Sequence, residues 1–340
     1  MQTSIIHGER VFADLADEWD ALVKESIIDT PFQTLAYQQS WWTHLQPPHS
    51  RLYTIISRGE NGRLLSIACF YQIGGMIHFN GCVEETDYLD IITRAEDAEK
   101  AWSAVFDILY DNQHAAWGII DLCNIPAHSP SRQIVSKLTQ QRAMAFQESI
   151  HEVCPVIPLP DTFDAYLAQI DSKQRREIKR KQRRAKGAEV QFVTITDGAE
   201  LETAVDHFLH LLQTSMHEKR DWLTDGRRAV FHDIARAALE AGTLQLMFAE
   251  VEGVRGAALF NFDYNDRVWV YNSGIDTSRF SNLSLGIVLT AHAIETAIKN
   301  GRSKFDFLRG NEVYKYRFGA KDTEIFRLHI AKIATLLESC

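Results

Sequence analysis

Apolar positions along the chain change period several times, and each change marks an element boundary. Ile5–Asp14 predicts a short strand and turn, and Leu15–Glu25 an amphipathic helix with Trp19, Leu22 and Val23 inward. Thr30-Pro31-Phe32 interrupts, Leu35–Leu45 is again helical, and Pro47-Pro48 ends it. Leu52–Ser57, Leu64–Gln72 and Met76–Asn80 read as antiparallel strands, with turns at Gly59–Gly62 and Gly74-Gly75. A helix over Ala95–Tyr110, a strand over Gly118–Cys123 and a helix from about Ser131 to Arg142 follow.

The same order then recurs. Cys154–Pro160 reads as a proline-rich connector, and a helix begins near Phe163. Val190–Thr194 is a predicted strand, and Leu201–Lys219 and Arg227–Ala241 are predicted helices, the second stopped at Gly242. Leu244–Val251 and Val254–Asp263 are strands joined at Glu252-Gly253, and a third strand opens at Val268 after Asn265-Asp266 and closes at Gly274. A helix carrying Ile287, Ala291, Ile294 and Ile298 on one face ends at Asn300-Gly301. Lys304–Leu308 is a further strand, Arg309–Arg317 a dense polar segment, and Ile325–Ile330 a last strand. Strands, helix, strand and helix occur twice with little sequence identity, so a structural repeat is expected. The boundary falls at 153/154, giving domains 1–153 and 154–340, with strand 325–330 open to either.

The segment from Val268 to Lys304 reads as a βαβ-like unit whose helix starts at Ser284, an N-cap residue type. Unpaired N–H groups and the dipole make such a helix start an anion site. Arg279, Ser281, Asn282 and Ser284 lie in the turn, and Gly286 lets a backbone approach closely, so the turn suits a pyrophosphate. The alternative is a capped core helix behind an ordinary polar turn, since no GxxxxGK[ST] or GxGxxG is present. Asp306 and Glu312 flank the next turn; either is a candidate general base if burial raises its pKa, and a hydrogen-bonded structural carboxylate otherwise. Tyr314 can protonate a departing thiolate, and Lys315 can stabilise a tetrahedral oxyanion. No Ser/His/Asp or Cys/His constellation supports a covalent acyl-enzyme.

Charge adds one anomaly. The 340 residues carry a net charge of −9, which argues against a general nucleic-acid binder. Ser172–Lys186 nevertheless holds nine Lys/Arg against Glu177, a local +8 that leaves −17 elsewhere. With only Ile178 and Ala185 apolar, no face of that helix is expected to be buried. CoA phosphates, an acidic acceptor, RNA or a membrane surface would offset its self-repulsion, as would the acidic remainder of the chain. The five cysteines are scattered without a zinc spacing, so reduced, buried thiols and a cytoplasmic location are expected, with no metal. Leu64–Val83 is uncharged but contains Gly74-Gly75, His78 and Asn80, so it reads as two strands and not as a transmembrane segment.

The run Tyr271, Gly274, Asp276, Ser284, Gly286, Leu289, Ala297, Gly301 and Phe305-Asp306-Phe307-Leu308-Arg309-Gly310, with Glu312 and Tyr314-Lys315, resembles the acetyltransferases named for cellulose biosynthesis. These belong to the GNAT superfamily and are similar in architecture to Fem-type aminoacyl transferases. Leu285 stands where that family often has proline. The resemblance implies tandem GNAT-like α/β (α+β) domains, with mixed, mostly antiparallel sheets flanked by helices and a substrate cleft between the halves. It implies acyl transfer from acetyl-CoA or another acyl-CoA to an amine or hydroxyl, on a small-molecule or glycan-precursor acceptor. Chemistry is then expected near Tyr271, Asp306, Tyr314 and Lys315, with Arg309 and Glu312 meeting substrate. Asp87, Tyr88 and Asp90 match a family Asp-Tyr-x-Asp, and His217 and Arg220 a His-x-x-Arg, both expected to line the acceptor site. A basic helix at 172–186 is also shared, and the Fem likeness adds tRNA as a partner for it, so the alternatives are an aminoacyl-tRNA-dependent transferase and, given Leu285, a non-catalytic GNAT-fold binding module.

Overall fold

Leu64–Ile73 forms one continuous strand with an almost unbroken buried run, which requires cover on both of its faces. The computed structural model describes residues 1–82, 85–110, 116–215 and 221–332. The chain divides into two units, one joining Met1–Val153 to the segment from Glu324 onward, the other Cys154–Thr323.

The first unit contains β1 (Gln2–His7), α1 (Arg10–Asp14), α2 (Ala16–Val23), α3 (Leu35–Leu45), β2 (Arg51–Arg58), β3 (Leu64–Ile73) and β4 (Met76–Phe79). β5 (Ile92–Thr93), α4 (Ala98–Tyr110), β6 (Ile119–Pro126), α5 (Ser131–Gln141) and the start of β7 (Ala145–Pro158) follow. Where the sequence predicts strand and turn over Ile5–Asp14, the strand lies earlier and Arg10–Asp14 is helical, because Val11 and Phe12 are buried there. β1, β2, β3 and β4 pair antiparallel in order, and β4 pairs parallel with β6. α2 and α4 both contact β3, and Trp102 and Phe106 of α4 enter a core with Phe70, Phe79 and Leu122. Trp41 and Trp42 are buried, and Trp41 stacks on Tyr71 at 5.8 Å, so the tandem tryptophans are packing residues.

Cys82 and Cys123 form a disulfide, where the sequence predicts reduced thiols. The parallel β4/β6 pairing brings the two positions together, with Cα atoms 6.1 Å apart. The cytoplasmic location inferred from unpaired cysteines loses that support. Among the described residues no helix is long and apolar enough to cross a membrane.

The second unit takes over β7 from Cys154 and adds α6 (Phe163–Gln169), α7 (Ser172–Gly187), β8 (Gln191–Thr194), α8 (Gly198–Ser215) and α9 (Asp225–Glu240). It continues with β9 (Leu244–Val251), β10 (Val254–Tyr264), β11 (Arg267–Ile275), α10 (Leu285–Lys299), β12 (Lys304–Asp306), α11 (Val313–Arg317) and the first residues of β13 (Lys321–Ala331). The predicted connector at Cys154–Pro160 is instead strand through Pro158, because Phe305 and Asp306 pair with Ile157 and Val156, while Pro155 needs only its carbonyl, which accepts from Phe307 N. The sheet order is β7-β12-β11-β10-β9-β8, antiparallel except for the parallel β12/β11 pair. Beyond Thr323, β13 lies in the first unit, antiparallel to β6.

Gly274 fixes how α8 meets this sheet. A Cβ there would sit 2.4 Å from Leu212 N and 2.6 Å from the Leu211 carbonyl carbon, so only glycine lets the helix backbone rest on β11. α7 does bury a stripe, contrary to the expectation from its composition. Ile178 and Ala185, two turns apart, are buried where α7 packs on α10. Burying one isoleucine contributes about 2 kcal/mol, enough to seat an otherwise solvated helix.

Candidate active site

β11 and β12 share only three register pairs, Arg267↔Lys304, Val268↔Phe305 and Trp269↔Asp306. Past Asp306 the chain turns away through Phe307 and a left-handed Leu308 (φ 58°), and β11 runs on to Ile275. A wedge therefore opens in the second sheet between Val270–Ile275 and Phe307–Gly310. On its other edge the β10/β11 register passes from Phe260↔Asn272 to Asn261↔Val270, so Tyr271 is the extra residue of a bulge. Bulges of this kind re-aim strand groups beside active sites. The Tyr271 ring packs among Phe231, Phe260 and Phe262 at 5.4–5.9 Å.

The turn after β11 is prebuilt. Asp276 Oδ1 accepts from Ser278 Oγ at 2.6 Å, Ser278 N at 2.9 Å and Arg279 N at 3.1 Å. These bonds, the Ser278 hydroxyl foremost, hold its carboxyl below the usual range. Arg279, Ser281 and Asn282 are exposed, and Phe280 and Ser284 are both left-handed. Ser284 does occupy the N-cap position of α10, but at φ 55° its side chain makes no capping bond. The N–H groups of Leu285 and Gly286 meet no acceptor among the described residues, which leaves the helix start available to an anion. At Gly286 a Cβ would fall 2.7 Å from Ile275 Cδ1, so glycine is needed there for packing against β11. Leu285 is buried, its side chain taken into the core beside Leu283 and Leu289.

The residues expected to perform chemistry after β12 are largely committed to structure. Asp306 is fully buried, paired to Arg267 at 3.0 Å, and accepts from Leu308 N at 2.9 Å. This is the hydrogen-bonded structural carboxylate that the sequence offered as the alternative to a general base. Lys315, 2% exposed, donates to the carbonyls of Leu308, Arg309 and Gly310 at 3.3, 2.6 and 3.0 Å and pairs with Glu312 at 2.8 Å. An ammonium has three protons to give, so none remains for an oxyanion; Lys315 clamps the wedge wall. Glu312 is exposed and carries that pairing. Tyr314 packs edge-on to Phe307 at 5.8 Å, and burial pushes its hydroxyl pKa well up. Arg309 is half-buried at the same wall.

In the first unit, Asp87, Tyr88 and Asp90 are buried. Asp90 does not reach for an acceptor: its oxygens take hydrogen bonds from Ser129 Oγ, from Ser131 Oγ at 2.5 Å and from Ile91 N at 2.8 Å. The place where β4 and β6 would part is closed. Leu89 N donates to Asn124 O at 2.9 Å, Asn124 Nδ2 to Thr86 O at 2.6 Å, and the disulfide crosses beside them. The open wedge belongs to the second unit. His217 and Arg220 lie outside the described residues.

Sequence reasoning missed the Arg267–Asp306 pair, the Tyr271 bulge and the contact from Arg184 Nη1 to Asn282 O at 2.8 Å, which ties the basic helix to the turn. Only the last left a signal, in the positive charge of α7. It also missed a groove of about 290 Å³ at α7, lined by Lys173, Lys181, Ile287 and Arg317 among others.

Comparison with known proteins follows the same outline. No curated protein matches the chain in sequence. Among solved structures, the crystal structure of FemX is similar with a TM-score of 0.67 at 11% identity, covering 99% of each chain. The C-terminal domain of a putative lysylphosphatidylglycerol synthetase from Agrobacterium fabrum is similar with a TM-score of 0.59 at 9% identity, over 96% of this chain and 95% of that one. A tandem GNAT protein from the clavulanic acid biosynthesis pathway gives 0.50 at 10% identity, over 96% of this chain and 98% of that one. At such identities the likeness is one of fold. Residues 172–316, from the basic helix through the wedge to α11, match the family model of the acetyltransferase (GNAT) domain.

Proposed function

We propose that the second unit is an acyltransferase that moves an acyl group, acetyl first, from acyl-CoA to an amine or hydroxyl of a small molecule or glycan precursor. The observation that carries this is the parting of β11 and β12 beside an uncapped α10 N-terminus. A thin thioester arm fits a wedge between strands, and a pyrophosphate fits a helix start with free N–H groups. Arg279, Ser281, Asn282 and Ser284 would surround that pyrophosphate.

The acceptor lone pair attacks the thioester carbon and its electrons move to oxygen. The tetrahedral intermediate collapses with C–S cleavage. The proton lost by the acceptor balances the one gained by the CoA sulfur. Tyr314, kept protonated by burial, is the proposed donor toward that sulfur. Main-chain groups at the Tyr271 bulge are the proposed contact to the thioester carbonyl. Asp306 and Lys315 act as positioning residues, and Arg309 and Glu312 are proposed at the acceptor rim.

The test follows free thiol release from acetyl-CoA across amines, amino sugars and short glycans. Acceptor-dependent release is expected, with Tyr314→Phe lowering kcat by about a hundredfold. Absence of release with every acceptor, together with an unaffected Tyr314→Phe variant in any residual turnover, would sink the proposal. An aminoacyl-tRNA donor is the alternative favoured by the +8 helix; salt-steep tRNA binding lost on neutralising Arg175, Arg176, Arg180 and Arg184 would support it instead.

A further inference from the structure

The groove beside α7 joins three elements of the second unit. Lys173 and Lys181 come from α7, Ile287 from the first turn of α10, and Arg317 and Phe318 from the end of α11. Lys173, Lys181 and Arg317 make no side-chain hydrogen bond or ion pair among the described residues. Glu177 also faces the groove, but Arg180 engages its carboxylate at 2.8 Å. Three cations, of which Lys181 also feels the Glu177 carboxylate, thus stand around a floor formed by Ile178 and Phe318, both buried.

The position of the groove relative to the turn narrows what it takes. Arg184 touches Asn282 O in the turn, and Lys181 lies one helical turn back along α7, about 5 Å in axial rise. Ile287, on the groove wall, is the third residue of α10, whose N-terminus is the anion site described above. One molecule with phosphates at both places must carry a second phosphate about a sugar's length from the first. α7 has no apolar face left to insert into a bilayer, because Ile178 and Ala185 are both buried.

We propose that this groove binds the ribose 3′-phosphate end of acyl-CoA, with Lys181 and Arg317 as the phosphate contacts and Lys173 at the rim. The assignment rests on the acyl-CoA donor above. It gives the basic helix a role in donor selection: a carrier with pantetheine and pyrophosphate but no 3′-phosphate is discriminated against.

Calorimetric titration of the full chain with acetyl-CoA and with 3′-dephospho-acetyl-CoA tests it. The unaltered protein should bind acetyl-CoA at least tenfold more tightly. Lys181→Gln combined with Arg317→Gln should bring the two within twofold, leave dephospho affinity unchanged and abolish competition by adenosine 3′,5′-bisphosphate. Neither side chain is buried, so the melting midpoint should stay put. Equal binding of both ligands by the unaltered protein, or a preference that survives the double substitution, overturns the groove assignment and leaves the donor in place. Binding of neither ligand removes the donor and the groove together.

Discussion

Replacing Lys315 with methionine separates a clamp from a catalytic cation. The ammonium holds three carbonyls and Glu312 at 2.6–3.3 Å, with 2% exposure. Methionine keeps most of the stem but leaves the Leu308, Arg309 and Gly310 carbonyls without their donor. Hydrogen bonds to a charged group contribute about 1.5–3 kcal/mol each and are not additive, and a carbonyl left buried without a donor costs about 1–3 kcal/mol, so a net loss of about 3–5 kcal/mol is expected. At about 2–4 °C per kcal/mol for a unit of this size, the midpoint of the second unit should fall by roughly 6 to 20 °C. Differential scanning calorimetry of the full chain reads this directly. Glu312→Gln, at an exposed side chain, should lower stability by less than about 1 kcal/mol. A Lys315→Met protein that melts within a degree of the unaltered one, while turnover collapses, would refute the clamp and restore a direct chemical role.

Three further outcomes follow from the structure. Gly274→Ala places a methyl 2.4 Å from Leu212 N, so α8 must shift off β11; destabilisation of about 3 kcal/mol in urea unfolding is expected. Burial, opposed by the Ser129, Ser131 and Ile91 hydrogen bonds, pushes Asp90 from 3.8 up to about 6. The folded first unit then holds that proton more tightly than the unfolded chain, so this contribution to stability is lost as pH rises from about 4 to about 6, by up to about 3 kcal/mol; Asp90→Asn should flatten the pH dependence of urea unfolding. Removing the Cys82–Cys123 bond by double alanine substitution frees a loop of sequence separation 41, an entropic loss of about 4 kcal/mol at most, read as a lower first-unit midpoint.

Periodicity revealed most elements because each buries a face matched to its own period. α10 shows this, with Ala291, Ile294 and Ile298 buried as its helical spacing requires. β7 was not legible because its prolines mimic a linker, and its strand character comes from pairing with β12, far along the chain. α7 was misread for the opposite reason: two apolar residues suffice when a neighbour supplies the rest of the contact. At the candidate site, the turn after β11 and the segment after β12 that the sequence singled out both border the wedge. The sequence could not show that Asp306 and Lys315 are consumed by Arg267 and by three carbonyls, since those partners depend on where the chain turns at Leu308. The disulfide was hidden likewise, because only the parallel β4/β6 pairing makes Cys82 and Cys123 neighbours.

Thermal unfolding with and without saturating acetyl-CoA tests the central claim most directly. A ligand at about a hundred times its Kd stabilises the folded state by about 2.7 kcal/mol, a rise of several degrees. The account predicts that rise for acetyl-CoA, and its loss when Ser281→Asp and Ser284→Asp place carboxylates at the start of α10, where they repel a pyrophosphate. An unchanged midpoint with acetyl-CoA, longer acyl-CoAs and free CoA alike would contradict a CoA-dependent transferase.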